Sequence, residues 1–326
     1  MAIPRDALRY PAKRVLLART RLAYVHLRNL LTDAKRDRAA RVCGYVAVWL
    51  PEELITLFLE EGEVVNATSS HDGEHFQPIA ISDAIARVPS SAEYGSICFH
   101  EAADEQLDTM FATQTGTPLP WPRELRLEDG EALLAFLYAT MHDGAIEIRD
   151  DGATHYVIVS SGSPIRGYFS DNRPGDVAAH VKVLLAPHGS AAKPLVRLWP
   201  RADALPAQAS PALVQAYRDL IAALTTRLKD GGAPTAAEIV ETARRPLVAR
   251  YPLLERFSPT LPTVRDPVTD TPTLTKAVAE WTVEVLRSGA VAGLAPEQAV
   301  RDLTTARRHM FQAAGLYDAL PWKLQW

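Results

Sequence analysis

Cysteine is scarce in this 326-residue chain, with Cys43 and Cys98 the whole complement. Two thiols cannot build a disulfide framework or, unaided, a structural zinc site, and such scarcity suits a reducing compartment. Long apolar runs are lacking as well, since no stretch approaches the ~18 uninterrupted apolar residues of a membrane span. The opening residues, MAIPRDALRYPAKRVLLARTR, scatter charges through their apolar positions and lack the apolar core of a secretory leader. Missing too are a phosphate-binding loop, a dinucleotide GxGxxG, HExxH and GxSxG. These absences predict a cytoplasmic protein with no membrane span, no cofactor and no metal.

What is present points to folded domains. Apolar residues make up 47% of the chain, enough to bury proper cores, and the length favours two or three domains. The net charge of −4 hides an asymmetry. Between Met1 and Val42 eleven basic residues stand against three acidic ones, a balance of +8, and the remainder carries −12. A basic end on an acidic body could dock an acidic partner or a second copy of the chain. A solvated helix face is the plainer reading of the same residues. Nucleic acid is disfavoured, because the basic segment has little aromatic interleaving for base stacking.

Self-similarity organises the front of the chain. Gly44 and Gly62 recur without a gap at Gly144 and Gly162, an offset of 100 residues. Val46 and Val48 lie over Ile146 and Ile148, and Leu57-Phe58-Leu59 over Val157-Ile158-Val159. The intervening positions disagree, with Ala47 over Glu147 and Trp49 over Arg149. Matched β-branched residues on alternate positions share one buried strand face. The pattern predicts strands at 44–50, 54–60 and 64–67, repeated at 144–149, 154–160 and 164–168, with a glycine hairpin at each second turn. The entry glycines read as left-handed helix ends. Leu27, Leu30, Leu31 and Ala34 before one meander, and Leu133, Leu134, Leu137 and Met141 before the other, are helical stripes best read as core. A helix (81–88, 176–185) and a strand (95–99, 194–199) follow each copy, and the Pro-rich segment 117–122 separates them.

Past Arg201 the signals become helical. Ser210-Pro211 opens a stripe of Leu213, Tyr217, Leu220, Leu224 and Leu228 that stops at Gly231. Thr235 and Glu238 read as a capping box, with Pro246 inside the helix they open. Thr271-Pro272 starts a third helix around Leu274, Val278, Trp281 and Val285, and 296–314 a fourth that closes at Gly315. The aromatic tail with Trp322 and Trp326 is expected to dock on this bundle or on a partner. The chain thus reads as α+β: two repeated helix-three-strand-helix-strand modules followed by an all-α four-helix domain. The boundaries fall at 1–118 for the basic segment and first module, 119–203 for the second module, and 204–326 for the helical part.

The run Gly44-Tyr-Val-Ala-Val, continuing to Leu57-Phe-Leu-Glu-Glu-Gly62-Glu-Val-Val-Asn-Ala67, resembles the PATAN-like domains of unknown function in bacterial signalling proteins. The resemblance covers 20–70 and, less closely, 128–170, where Arg166-Gly167 replaces Asn66-Ala67. It implies a bacterial signalling adaptor or scaffold that acts through protein–protein contacts, with no catalytic residues to carry over. Arg36, Arg38, Arg41, Trp322 and Trp326 are the candidate interaction residues.

Two other classes compete. Arg36, Arg38 and Arg41 before Gly44 are similar to the Arg-rich segment of PilZ-type cyclic-dinucleotide receptors. Their spacing departs from Arg-x-x-x-Arg, and the later Asp/Asn-x-Ser-x-x-Gly element is missing. An unrecognised hydrolase is the third reading. Its nucleophile would come from Ser160-Ser-Gly-Ser-Pro164, which the repeat places on a hairpin tip without the helix that a nucleophile elbow needs. His71 and His75 flank Gly73 in a loop and read as solvent-facing, as does the acidic cluster Glu60, Glu61 and Glu63. His309 reads as surface or packed.

Overall fold

The computed structural model describes residues 7–36, 41–89, 94–123, 125–126, 129–171, 175–186, 193–233, 235–257, 265–288 and 295–324. The fold is α+β and divides into two compact units, Met1–Ile79 with Ala84–Leu205, and Ala80–Asp83 with Pro206–Trp326. The first unit runs β1 (Arg14–Arg21), α1 (Leu27–Arg36), β2 (Gly44–Trp49), β3 (Leu54–Glu60), β4 (Glu63–Ser70), β5 (Gln77–Pro78), the part of α2 (Ile81–Arg87) from Ala84 onward, β6 (Ser96–Glu101) and α3 (Asp104–Thr115). It continues through α4 (Gly130–Ala139), β7 (Gly144–Asp150), β8 (Ala153–Ser160), β9 (Ser163–Tyr168), α5 (Val177–Leu185) and β10 (Leu195–Pro200).

The repeat is three-dimensional. Strand order β6-β2-β3-β4 in one sheet is reproduced as β10-β7-β8-β9 in the other, antiparallel throughout. Gly44 pairs with Leu59 and Gly144 with Val159, and the third strand slips register between Phe58 and Leu59 as it does between Ile158 and Val159. Both hairpin tips put two residues at positive φ, Glu61-Gly62 at 48° and 79° and Ser161-Gly162 at 48° and 77°. That is the primed turn whose twist matches the strands it joins.

The entry glycines have a different cause from the one the sequence suggests. They do not end helices in a left-handed turn. A Cβ on Gly44 would lie 2.1 Å from the His100 carbonyl oxygen, and one on Gly144 2.1 Å from that of Trp199. Close approach of the neighbouring strand requires them. Met141 departs likewise: it takes a left-handed conformation after α4 and is exposed, whereas Leu133 and Leu137 are buried.

Each sheet has two faces with distinct roles. Val46, Val48, Leu57 and Leu59 pack with Leu27, Leu31, Ala84 and Val88, and their counterparts Ile146, Ile148, Val157 and Val159 pack with Leu133, Leu137, Val181 and Leu185. The opposite face of the first sheet, with Tyr45, Ala47, Trp49 and Phe58, shares a core with Leu107, Met110 and Phe111 of α3 and with Tyr156 of the second sheet. Ala47/Glu147 and Trp49/Arg149, where the copies disagree, are therefore on the faces turned toward this middle layer.

Two elements of this unit escape the repeat. Arg14–Arg21, within the basic segment expected to form a solvated helix face, is an edge strand paired with β6 and broken by register shifts. α3 is a helix whose apolar and polar side chains are both buried, so it shows little amphipathic stripe. In the second sheet, among the described residues, the place of β1 beside β10 is taken by a single bridge from Leu119 to Leu198. Prolines at 118, 120 and 122 lack the N–H groups a longer ladder would use.

The second unit holds α6 (Pro211–Asp230), α7 (Ala236–Val248), α8 (Thr271–Ser288), α9 (Pro296–Thr304), α10 (Arg308–Ala313) and α11 (Leu316–Ala319) around one core. Ser210 Oγ accepts from Leu213 N–H, as an N-cap should. Thr235 makes no side-chain cap, so the expected capping box does not form. Trp281 is fully buried and donates its Nε1–H to the Val240 carbonyl at 2.9 Å. The expected fourth helix is broken at Thr305–Arg307 into α9 and α10, and it closes where expected, at Gly315 with a φ of 79°. Among the described residues no helix is long and apolar enough to cross a membrane.

Candidate functional site

The residues singled out from sequence fall in separate places. Arg41 bridges to Glu61 at the first hairpin tip, and Lys35 bridges to Glu63 beside it. Glu61 and Glu63 are solvent-facing, as expected, and each carries an exposed ion pair, with Arg41 and with Lys35 of α1. Arg36 is the last residue of α1, with its side chain outside the described atoms, and Arg38 lies outside the described residues. Trp322 packs, half-buried, on the core of the helical unit, and Trp326 lies outside the described residues.

Of the side chains with catalytic chemistry, Asp72 and His75 are engaged with each other. Asp72 Oδ1 accepts from the N–H groups of Glu74 and His75 at 2.8 Å and from Ser70 Oγ at 3.0 Å, while its Oδ2 meets His75 Nδ1 at 2.6 Å. Burial works to raise the Asp72 carboxyl, but these hydrogen bonds hold it well below the usual carboxylate range. His71 is turned instead to the Glu52 carbonyl. No cluster of His, Cys, Asp or Glu suited to a metal occurs among the described residues. Ser161-Gly162 forms the β8–β9 hairpin, and His309 is exposed on α10. Burial pushes the Cys98 thiol up to about 11 and raises that of Cys43, so neither is an activated thiolate at neutral pH.

The middle layer carries a buried ion pair. Glu147 and Arg149, on the same face of β7, are 1% and 3% exposed. Arg149 Nε donates to Glu147 Oε1 at 2.7 Å, and Trp199 Nε1–H donates to Glu147 Oε2 at 3.1 Å. Arg149 Nη1 reaches the Gly73 carbonyl of the first module at 3.0 Å. Burial opposes the Arg149 charge, but Glu147 beside it raises the guanidinium pKa further. This network ties the modules together and presents no open atom to a substrate.

A cleft of about 550 Å³ opens nearby, lined by both modules and the N-terminal segment. Leu8, Val15, Tyr45 and Trp49 give it an apolar floor, with Arg9, Arg19, His100, Asp151 and Ser170 around them. The Arg19 guanidinium sits 4.0 Å over the Trp49 ring, and its Nε donates to Ser96 Oγ at 2.7 Å. Arg9 runs beside Ala153, and its Nη2 donates to the Asp151 carbonyl at 3.1 Å.

The Tyr45 hydroxyl lies 2.9 Å from the Pro11 carbonyl, 3.1 Å from that of Tyr10 and 2.7 Å from His100 Nδ1. One phenolic proton cannot serve all three. Two carbonyls can only accept, so the hydroxyl donates to them and accepts from His100 Nδ1–H. That tautomer leaves Nε2 as the basic nitrogen. Burial lowers the His100 pKa, which keeps the ring neutral at pH 7.

None of these cleft residues stood out in the sequence. The one available signal was Trp49, a large aromatic where the repeat has Arg149. Arg9 and Arg19 were seen only as members of a basic segment. Comparison with known proteins gives no match to a family model, a curated protein or a solved structure.

Proposed function

We propose that the chain is a non-enzymatic adaptor or scaffold that works through protein–protein contacts, as the PATAN-like resemblance of 20–70 implies, in a bacterial signalling pathway. The observation that supports this most is the fate of the reactive groups. The buried charged pair is spent on joining two modules, both cysteines are held as thiols, and the serine run forms a hairpin. A duplicated domain of this kind offers paired, similar surfaces to partners. Cross-linking in the native host, followed by affinity capture, tests the reading. A specific partner should be recovered with the wild-type chain and lost when Arg36, Arg38 and Arg41 are changed to Glu at unchanged melting temperature. Turnover in a broad hydrolase screen, with no partner, would refute it.

The cleft favours a second reading, a small-ligand sensor. Arg41 is engaged with Glu61, so the cyclic-dinucleotide version built on the Arg36–Arg41 segment draws little support. A ligand-dependent rise in melting temperature across a dinucleotide panel would restore it.

A further inference from the structure

We propose that the cleft between the N-terminal segment, the first sheet and the β7–β8 hairpin binds a flat aromatic monoanion such as an aryl carboxylate. The inference is independent of the adaptor reading. At about 550 Å³ the cleft falls inside the ~300–1,000 Å³ typical of small-molecule sites, which combine an apolar floor with a few placed polar groups. Leu8, Tyr45 and Trp49, 1%, 0% and 4% exposed, close its base, and Val15, 52% exposed, is the apolar side chain among these four that is open to solvent. Among the described residues that line it, the charged groups are the guanidiniums of Arg9 and Arg19 and the carboxylate of Asp151.

Both cations are held before any ligand arrives. Arg19 is fixed by the Trp49 ring and Ser96, and Arg9 by the Asp151 carbonyl. Arg9 spends one N–H there, and its planar fork retains others for a carboxylate. Such preorganisation lowers the entropy cost of binding. Tyr45 and His100 are hydrogen-bonded to each other at its base. The second module contributes Asp151 and Ser170, so the complete cleft exists only when the modules are joined.

Isothermal titration of the full chain with 2-naphthoate at pH 7, with 2-naphthalenemethanol as the neutral counterpart, tests the proposal. Saturable one-to-one binding of naphthoate is expected, with the alcohol at least tenfold weaker. Arg9→Gln and Arg19→Gln should each weaken naphthoate at least tenfold. Ala18→Trp, which fills the cleft at an exposed position of β1, should abolish binding and serves where an arginine variant fails to fold. No saturable binding at millimolar naphthoate would overturn the proposal. So would equal affinity for the alcohol, or an Ala18→Trp protein that binds as the wild type does.

Discussion

Gly144 carries no methyl group because the Trp199 carbonyl oxygen occupies the space where one would go. The obstacle is backbone, so no side-chain rotation relieves it. Gly144→Ala should destabilise the protein by about 1–3 kcal/mol, the usual cost of overpacking, and Gly44→Ala should match it. Thermal denaturation of both variants checks this, and a loss in only one would argue against equivalent positions. His100 gives a second residue-level prediction. Burial lowers its folded pKa, whereas the unfolded chain binds that proton near ~6.5. The unfolded state then holds more protons just below that pH, so stability falls as pH drops through ~6.5 toward the folded value. His100→Gln, which keeps a donor for the Tyr45 hydroxyl, should flatten this part of the curve of urea-unfolding free energy against pH. A curve identical to wild type would remove His100 as the cause. His142, also lowered by burial, acts with the same sign and should leave a residual slope.

At the scale of elements, β7 places Glu147 and Arg149 two residues apart on the buried face, where each satisfies the other. Removing one partner leaves an uncompensated charge. Arg149→Met should cost about 3–5 kcal/mol, while the double change Glu147→Leu with Arg149→Met should recover much of that loss. Urea unfolding of the three proteins decides it, and a double variant no more stable than the single one would contradict the account. The exposed Arg41–Glu61 bridge is a contrasting case. Glu61→Ala should cost no more than ~1 kcal/mol, and less in 1 M salt.

These elements also show what was legible in the sequence. The β2–β4 and β7–β9 meanders were readable because strand faces alternate with a period of two and Gly62 and Gly162 fix the turns. β1 was not, because an edge strand with bulges and five exposed positions carries no clean alternation. α3 was hidden because it is buried on several sides and includes Gln106, Thr109, Thr113 and Gln114 among its buried residues. The cleft was hidden for a related reason: its residues come from segments far apart in sequence that only the strand pairing brings together.

For the molecule as a whole, duplication gives an economical account. Two copies of one module keep their helix-covered faces nearly interchangeable, Val46 for Ile146 and Leu57 for Val157. They diverge where they meet, and that divergence produces both the Glu147–Arg149–Gly73 tie and the cleft beside it. The basic N-terminal segment belongs to this assembly, with Lys13 and Arg14 bridging to Glu101 and Arg9 binding the hairpin of the second module.

Hydrogen–deuterium exchange of the intact chain, resolved by residue, measures this correspondence most directly. Amides in β2 and β3 should be protected in the same pattern as those in β7 and β8. Gly62 and Gly162 N–H should both exchange slowly, since they donate to the Val42 and His142 carbonyls. Uncorrelated protection at positions 100 apart, or rapid exchange throughout one of the two meanders, would contradict the account.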